Sequence, residues 1–522
     1  MVLNDNKIKK YLLWLLVIST VIRAFLAAFF EFGNDEVYYW TYALYPDWSH
    51  FDHPPMVGWV MQLFSLNLLF SDEFFLRLAS VVFMTIDTWL FYRIGKEIKD
   101  SLTGFYAALL FTASLYGFVI TGVFILPDTP LMLFMLLSLL SFIRYFKTSK
   151  NKYMLLGGLF AGLSLLSKYS AVFIWSGVGL YILLFDRKQL KNKYLYLSAL
   201  ISVVCLIPVL IWNIQNDFIS FTFHGDRVSF FDKLRPKYFL TELVGEFLYN
   251  NPVNFVMIII ALVLMARGKR VLNGRDVRLL LMTCIPFIAV FWFFSLTRPI
   301  LPHWTAPALS IMLLFPAAVF AEKHKNKQKR PVPVGIKLSL SLLLIIVAVG
   351  GAEIKTGFVS LRFTERSETV QRYGESDFTL SMYGWKKIRT QFESIRNQKI
   401  EQGMMKESDA MINLNWYPCA NLDYYVAYPL GMKMLAYGEP VMIHKYLWIN
   451  EYRGGFKKGD DYWFLTESCD YYDVNRYFKD CFSEMIPCDT ITVERCGKPA
   501  KYVFVYMLKD LKKVPDVNTM IK

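Results

Sequence analysis

Two adjacent carboxylates, Asp35 and Glu36, lie in a polar loop that has no Lys or Arg between residues 31 and 73. A long apolar segment precedes them, and the aromatic run 38–40 follows directly. Carboxylates beside a lipid bilayer are costly and are usually retained for function. Two of them together repel each other, so a purely structural role is the weaker interpretation. We therefore treat Asp35 and Glu36 as candidate catalytic groups, with general-base chemistry as the expectation.

Four further polar features lie at the ends of apolar segments. They are, in chain order, Asp52-His53 before Pro54-Pro55, Asp128 after Pro127, Lys168 between two apolar segments, and the stretch from Arg298 to His303. Carboxylates and imidazoles can act as bases or metal ligands, whereas the cations can hold an anion. Together they suit a displacement reaction on a phosphate-activated substrate. Structural alternatives stay open: Asp128 could shape a turn, Lys168 could extend to the headgroups, and His303 could pack beside Trp304.

The composition is that of a membrane protein. Of the 522 residues, 55% are hydrophobic and only 19% are charged, and the mean hydropathy is +0.34. A soluble domain has about 25% charged residues. We count eleven segments with enough apolar residues to cross a bilayer. The expected fold class is therefore an all-α polytopic membrane protein with about 11 transmembrane helices. Arg23 and Asp87 lie inside two of these segments, where a structural ion pair is favoured over catalysis.

The basic residues predict the orientation of the chain. One alternating set of connections between the apolar segments holds 25 Lys and Arg residues, and the other set holds 6. Because Lys and Arg concentrate on the cytoplasmic side, the N-terminus is expected inside and the C-terminus outside the cell inner (plasma) membrane. The basic loops account for the formal net charge of +14, so no nucleic-acid partner is needed. All the polar features above then lie on the external face.

The composition becomes polar near residue 352. We expect a transmembrane catalytic domain over 1–352, with an external loop at 32–73, and a small extracytoplasmic (periplasmic) α/β domain over 353–522. A helix is predicted within 389–400, and strands at 461–465 and 501–508. The second domain contains five of the seven cysteines: Cys419, Cys469, Cys481, Cys488 and Cys496. An exported location permits disulfides, and Cys488 with Cys496 could close a small loop. The alternative interpretation, that these cysteines are reduced and pack in the interior of the domain, is equally good.

Five segments carry a resemblance to a known family. They are residues 35–40, 51–55, 126–131, 162–169 and 298–303, and they occur in the same order as in the family. Together they resemble the GT-C glycosyltransferases, in particular the bacterial lipid A aminoarabinose transferase and dolichyl-phosphate-mannose protein mannosyltransferase group (glycosyltransferase families 83 and 39). The resemblance covers most of residues 10–320.

The resemblance implies a chemistry. In this family a sugar is moved, with inversion, from a polyprenyl-phosphate donor, which in bacteria is undecaprenyl phosphate. The acceptor, lipid A, a surface glycan or a protein, lies at the external face. Asp35 resembles the family's catalytic carboxylate, and Asp128 resembles its second acidic position. Lys168 and Arg298 resemble contacts to the donor phosphate. Since the donor comes from the bilayer, no nucleotide cofactor is expected, and the chain contains no G-x-G-x-x-G motif.

One motif departs from the family pattern. The aminoarabinose transferases have an acid-Lys-Pro motif in the first external loop, whereas this chain has Asp52-His53-Pro54. His53 could contact the donor phosphate as the lysine would. Alternatively, Asp52, His53 and His303 could bind a divalent metal ion, since three nitrogen and oxygen ligands suit zinc. The spacing does not choose between the two.

A transporter or flippase of lipid-linked saccharides is the alternative from another functional class. Transporters place ionisable residues near the bilayer midplane and often contain internal repeats. Here the ionisable residues gather at one face, and we find no repeat. An oligosaccharyltransferase-like enzyme of the same fold is a third candidate, disfavoured because residues 353–522 contain no Trp-Trp-Asp run. The sequence leaves the sugar and the acceptor open.

Overall fold

The structure is a computed structural model that describes residues 4–226, 233–327, 332–360 and 369–514. It divides into two compact units. Unit 1 comprises residues 1–28 and 46–346, and unit 2 comprises residues 29–45 and 347–522.

Helices dominate the first part of the described chain. In chain order they are α1 (Asp5–Phe29), α2 (Asn34–Leu44), α3 (Met56–Phe64), α4 (Glu73–Ile98), α5 (Ser101–Thr112), α6 (Asp128–Thr148), α7 (Asn151–Leu165), α8 (Val172–Phe185), α9 (Lys193–Cys205), α10 (Ile207–Gln215), α11 (Ile219–Asp226), α12 (Pro236–Tyr249), α13 (Pro252–Ala266), α14 (Gly274–Ser295), α15 (Ala306–Met312), α16 (Leu314–Lys327) and α17 (Val334–Thr356).

Local sequence explains where several of these helices begin. The side chains of Asp72 and Asp100 accept hydrogen bonds from the first backbone amides of α4 and α5. Such caps satisfy amides that have no partner within the helix. Between α4 and α5, Gly104 allows close contact, because a Cβ there would lie 2.2 Å from the carbonyl oxygen of Tyr92. Every residue of α5 is buried, so this pair forms the centre of the unit 1 core.

The predicted all-helical membrane unit is present, but the count of eleven spans is not confirmed. In the described residues, six helices are long and apolar enough to cross a membrane, or up to eight if two bent pairs each count as one span. Helices such as Ser101–Thr112 are too short to cross alone. The pair α9 and α10 is bent by 42°, and the pair α12 and α13 by 102°. Pro208 and Pro252 lie at these breaks. Proline has no amide hydrogen to donate within a helix, and this accounts for the interruption.

Unit 2 contains a mixed five-stranded sheet. Its strands are β1 (Ala410–Asn413), β2 (Met434–Ala436), β3 (Tyr462–Glu467), β4 (Phe482–Arg495) and β5 (Lys498–Leu511), in the order β2-β1-β3-β5-β4. β1 is parallel to β2 and β3, whereas β5 is antiparallel to β3 and β4. The remaining helices are α18 (Trp385–Glu401), α19 (Trp416–Leu422), α20 (Pro440–Ile443), α21 (Tyr446–Tyr452) and α22 (Val474–Phe478). The strands predicted at 461–465 and 501–508, and the helix within 389–400, are present with longer bounds.

The helix α2 belongs to unit 2, although it is far from the rest of that unit in sequence. The sequence-based division placed it in the transmembrane domain, within the external loop 32–73. Eight of its eleven residues are buried, and Tyr38 contacts Trp416 with ring centroids 4.9 Å apart. Aromatic burial therefore gathers this segment into the C-terminal unit. All seven cysteines, including Cys488 and Cys496, are free thiols in the structure.

Candidate active site

A buried ion pair lies at the centre of the candidate site in unit 1. Asp128 is the first residue of α6, and Lys168 follows α7 in an extended conformation. The Nζ atom of Lys168 lies 2.7 Å from Oδ2 of Asp128, and the two side chains are only 12% and 3% exposed. The hydroxyl of Tyr116 donates to the other carboxylate oxygen at 3.0 Å. The carboxylate is therefore held between the Lys168 ammonium group and a hydroxyl.

The segment that carries Asp52 and His53 lies beside this pair. The backbone amide of Met56 donates to the carbonyl of Leu166, which fixes the segment next to Lys168. Nε2 of His53 lies 4.0 Å from Oδ2 of Asp52. Burial lowers the pKa of His53 to about 4, while Asp52 raises it and Lys168 lowers it. His53 is therefore neutral at pH 7 and can bind an anion by a hydrogen bond, not by a full charge as a lysine would.

The second cationic group comes from the segment after α14. The guanidinium of Arg298 lies over the ring of Phe294, 5.6 Å from its centroid. His303 follows in the same segment, and burial lowers its pKa to about 4; Asp128 opposes this shift and Lys168 adds to it. The electrostatic influence of Asp128 and Lys168 shows that His303 is near the buried pair. Like His53, it is neutral at pH 7.

Glu246 on α12 holds the segment that carries His303. Its carboxylate is fully buried and accepts hydrogen bonds from the hydroxyl of Thr305 at 2.5 Å and from the indole of Trp292 at 3.0 Å. Close packing adds to these contacts, since a Cβ at Gly245 would lie 2.1 Å from Pro302. A buried carboxylate with two donors aligns a loop more rigidly than apolar packing alone. We infer that α12 orients the segment 302–305.

A large apolar cavity brings the polar groups of unit 1 together. Its volume is about 850 Å³, and Lys168 and Arg298 both line it. The other polar residues in the wall are Asp52, His53, Tyr169, Ser170 and His224. The rest of the wall is apolar and includes Phe173, Phe221, Phe291, Leu301 and Trp304. A cavity with an apolar wall and a few cations suits an amphiphile that has a long hydrocarbon chain and an anionic head.

Arg298 also borders a second cavity. This one has a volume of about 410 Å³ and is lined by Lys233, Arg235, Tyr238 and residues 297–299. Two further cations, Lys233 and Arg235, therefore lie near Arg298.

In unit 2, the two predicted carboxylates differ in exposure. Glu36 is 2% exposed, and its Oε2 accepts the backbone amide of Gly33 at 3.1 Å. This contact caps the start of α2, so Glu36 has a structural task. Asp35, in the same first turn, is exposed. Of the two, Asp35 is therefore the one that can reach a substrate.

Four polar contacts within unit 2 hold the segment around Asp35. The amide of Asn421 donates to the side chain of Asn34 at 2.8 Å. Just before α2, the backbone amide of Phe32 donates to the hydroxyl of Tyr425 at 2.5 Å.

The other two contacts involve Glu31 and Tyr45. The carboxylate of Glu31 accepts a hydrogen bond from the backbone amide of Trp385 at 3.0 Å. Lys445 donates to the carbonyl of Tyr45 at 2.5 Å. The C-terminal part of the chain thus fixes both ends of α2.

The predicted metal ligands Asp52, His53 and His303 are not grouped as a ligand set in the structure, and metal binding stays a prediction. In the part of the chain that the structure describes, no three His, Cys, Asp or Glu side chains are grouped so that they could hold a metal ion. Asp52 and His53 are adjacent, but they do not form a ligand set with His303. We therefore derive no catalytic step through a metal.

Three residues of the site were not singled out in the sequence. Tyr116 carried no signal, because it lies in an apolar segment. His224 lines the large cavity, and its Nε2 is 2.8 Å from the carbonyl oxygen of Asp52. Glu246 did carry a signal, since a carboxylate within an apolar segment is a functional candidate by default.

Comparison with known proteins finds similar sequences and a similar fold. Residues 52–212 match the family described as dolichyl-phosphate-mannose-protein mannosyltransferase. The structure resembles that of ArnT from Cupriavidus metallidurans bound to undecaprenyl phosphate, with a TM-score of 0.65 and 13% identity over 95% of this chain and 98% of that one. The apo state of the same protein gives a TM-score of 0.62.

The chain has a GT-C glycosyltransferase fold of the ArnT and protein mannosyltransferase type. The resemblance predicted from the sequence is thereby confirmed. A curated relative is the lipid A galacturonosyltransferase RgtD of Rhizobium johnstonii, 23% identical over 242 residues, which are 46% of this chain and 50% of that protein. The match thus spans half the length of this relative. The matched family is named a mannosyltransferase, and this relative is named a galacturonosyltransferase.

Proposed function

We propose that this protein is a membrane glycosyltransferase that moves a sugar from polyprenyl phosphate to an acceptor at the external face of the inner membrane, with inversion. The observation that carries the proposal is the apolar cavity of about 850 Å³ lined by both Lys168 and Arg298. A polyprenyl chain would occupy the apolar part, and its phosphate would lie between the two cations. The ArnT structure bound to undecaprenyl phosphate supports undecaprenyl phosphate as the carrier.

The proposed reaction needs a base and a stabilised leaving group. The carboxylate of Asp35 takes the proton from the acceptor hydroxyl as its oxygen forms a bond to the anomeric carbon. The bond from that carbon to the phosphate oxygen breaks, and its electron pair leaves with polyprenyl phosphate. Lys168 and Arg298 stabilise the charge that grows on the phosphate. His53, which is neutral, adds a hydrogen bond to the same group.

Asp128 has a supporting task in this proposal. Its contact with Lys168 fixes the position of the ammonium group by an interaction within the protein. A preorganised cation stabilises the transition state without the cost of moving into place. Glu36 contributes by capping α2, and its contact with Gly33 fixes the turn that carries Asp35.

The acceptor side is supported by charge. The cavity beside Arg298 contains Lys233 and Arg235, which suits an anionic acceptor such as lipid A. A surface glycan or a protein remains the alternative acceptor. The flippase hypothesis has no support from the relatives, which are transferases by name.

Binding of undecaprenyl phosphate tests the donor site directly. Full-length protein in detergent is titrated with undecaprenyl phosphate, and the bound fraction is measured by native mass spectrometry. Loss of one charge-assisted contact removes roughly 1.5–3 kcal/mol, so Arg298→Ala should bind about ten- to a hundredfold more weakly. Arg298→Lys should also be impaired, since a point charge does not replace a bidentate fork.

Arg235→Ala is the matched control. Arg235 lines the second cavity with Arg298, but it does not line the large one. Its substitution should leave the affinity for undecaprenyl phosphate unchanged. Equal weakening by both substitutions would show that general positive charge, and not the large cavity, binds the phosphate. The transfer itself is tested in proteoliposomes with undecaprenyl-phosphate-linked sugars and lipid A as the acceptor.

A further inference from the structure

A basic groove, separate from the two cavities described above, lies between α1 and α4, at the end of unit 1 where α4 terminates. Its volume is about 510 Å³. Lys9 from α1 and Arg93 and Lys96 from α4 supply its charges, and Leu13, Leu16 and Trp89 supply apolar surface. Both helices are long and apolar enough to cross a membrane. The groove therefore opens between two candidate membrane-spanning helices, near the ends that carry Lys9 and Lys96.

Several other cations at this end of the unit have a carboxylate partner. Lys99 pairs with Glu322 at 2.8 Å, Lys325 with Asp100 at 2.7 Å, and Arg275 with Asp276 at 2.8 Å. These contacts neutralise the basic residues within the protein. Their positive charge is thus not left to attract an anion.

The three cations of the groove differ in this respect. Within the described ranges, none of Lys9, Arg93 and Lys96 forms an ion pair. Glu97 also lines the groove, but its carboxylate is bound by Lys147 at 2.8 Å and Arg144 at 3.4 Å. The groove therefore has an unbalanced positive charge.

The apolar part of the groove suits an acyl chain. Trp89 is 38% exposed and Leu13 is 61% exposed, and the guanidinium of Arg93 lies 5.0 Å from the centroid of the Trp89 ring. Tryptophan at a membrane interface places its ring at the headgroup level. A cation stacked on such a ring is held where a lipid phosphate would lie.

We propose that this groove binds one anionic glycerophospholipid, with its phosphate held by Lys9, Arg93 and Lys96. Basic pockets between transmembrane helices bind such headgroups, and each basic residue near the surface contributes about 1 kcal/mol. This corresponds to about fivefold in affinity per residue. The site is separate from the cavity lined by Lys168 and Arg298 and does not depend on the proposed transferase activity.

The test compares lipids in the intact protein. Full-length protein is reconstituted in nanodiscs of phosphatidylcholine containing phosphatidylglycerol, and the lipids retained after transfer to detergent are measured by native mass spectrometry. Arg93→Gln should retain phosphatidylglycerol about fivefold more weakly. The triple variant Lys9→Gln, Arg93→Gln, Lys96→Gln should do so about a hundredfold more weakly.

The matched control removes the same charge elsewhere. Lys150, Lys152 and Lys191 are exposed cations outside the groove, and their triple substitution by Gln should leave lipid retention within about twofold of the parent protein. Equal retention of phosphatidylcholine and phosphatidylglycerol by the parent protein would overturn the proposal. An equal loss in the control variant would also overturn it. If the groove triple variant does not purify in folded form, the single variant Lys9→Gln, at an exposed position, gives the measurement.

Discussion

Replacing Lys168 by Met separates the structural role of this lysine from its proposed role in binding phosphate. The ammonium lies 2.7 Å from the Asp128 carboxylate, and both groups are largely buried. At this separation the Coulomb attraction is roughly 6 kcal/mol for an effective dielectric constant of about 20. Much of it offsets the cost of burying the two charges. Removing one partner of a buried pair costs about 3–5 kcal/mol, because the other charge is left uncompensated.

The double variant Lys168→Met, Asp128→Asn removes both charges. It should recover most of the stability lost in Lys168→Met, because no uncompensated carboxylate remains. It should not recover donor affinity, because the cation that contacts the phosphate is still missing. We expect undecaprenyl phosphate to bind about ten- to a hundredfold more weakly to both variants.

Two measurements on the same preparations separate the structural role of Lys168 from its role in phosphate binding. Thermal unfolding in detergent reports stability, and native mass spectrometry with undecaprenyl phosphate reports donor binding. If the double variant binds undecaprenyl phosphate as well as the parent protein, Lys168 acts only as the partner of Asp128. In that case the assignment of the phosphate site would be refuted, whatever the stability of the variants.

Four further predictions concern other parts of the molecule. Asp35→Asn should slow transfer by about 10²–10⁴ with undecaprenyl phosphate binding unchanged, and near-normal turnover would exclude Asp35 as the base. Asn421→Ala removes the hydrogen bond to Asn34 and should lower kcat with little change in donor affinity. Asn450→Ala is its control, since the side chain of Asn450 bonds only to Ala436 in the described contacts, and equal loss of kcat in both variants would show a general defect of unit 2. The pKa values of His53 and His303 are about 4, against about 6.5 in an unfolded chain, so the free energy of unfolding should fall as the pH decreases through this window. His53→Gln should make this fall smaller in thermal unfolding at pH 7 and pH 5, and an unchanged slope would contradict the shift. A reporter fused after Lys522 should be exposed outside the cell, and a cytoplasmic reporter would reverse the predicted orientation.

Much of the fold could be predicted because hydrophobic patterns are local. The apolar segments follow one another in the sequence, and the structure has a helix in each of them. What was not predicted is how long each helix remains straight. The segment 194–214 is apolar throughout, yet α9 and α10 meet at a bend of 42° beside Pro208. Hydropathy does not register such a break, so a count of eleven apolar segments is not by itself a count of spans.

Residues of the candidate site could be predicted where a charged side chain occurs in an otherwise apolar part of the sequence. Lys168 and Arg298 stood out because few cations occur in the connections that are predicted to be external, and the structure places both in the wall of one cavity. Residue type gives no sign of Tyr116, and it marks Glu246 only as a carboxylate. Their partners, Asp128 and Thr305, are known only from the structure.

The sequence by itself determined the class of this protein, the order of its motifs and the identity of its exceptional charges. These follow from composition and spacing, which are properties of the chain before it folds. Only the tertiary structure decided that α2, with Asp35, packs in the C-terminal unit. It also decided that Glu36 caps this helix while Asp35 stays exposed, and that burial keeps His53 and His303 neutral. These results depend on which distant side chains exclude water from a group, and burial of that kind exists only in the folded molecule.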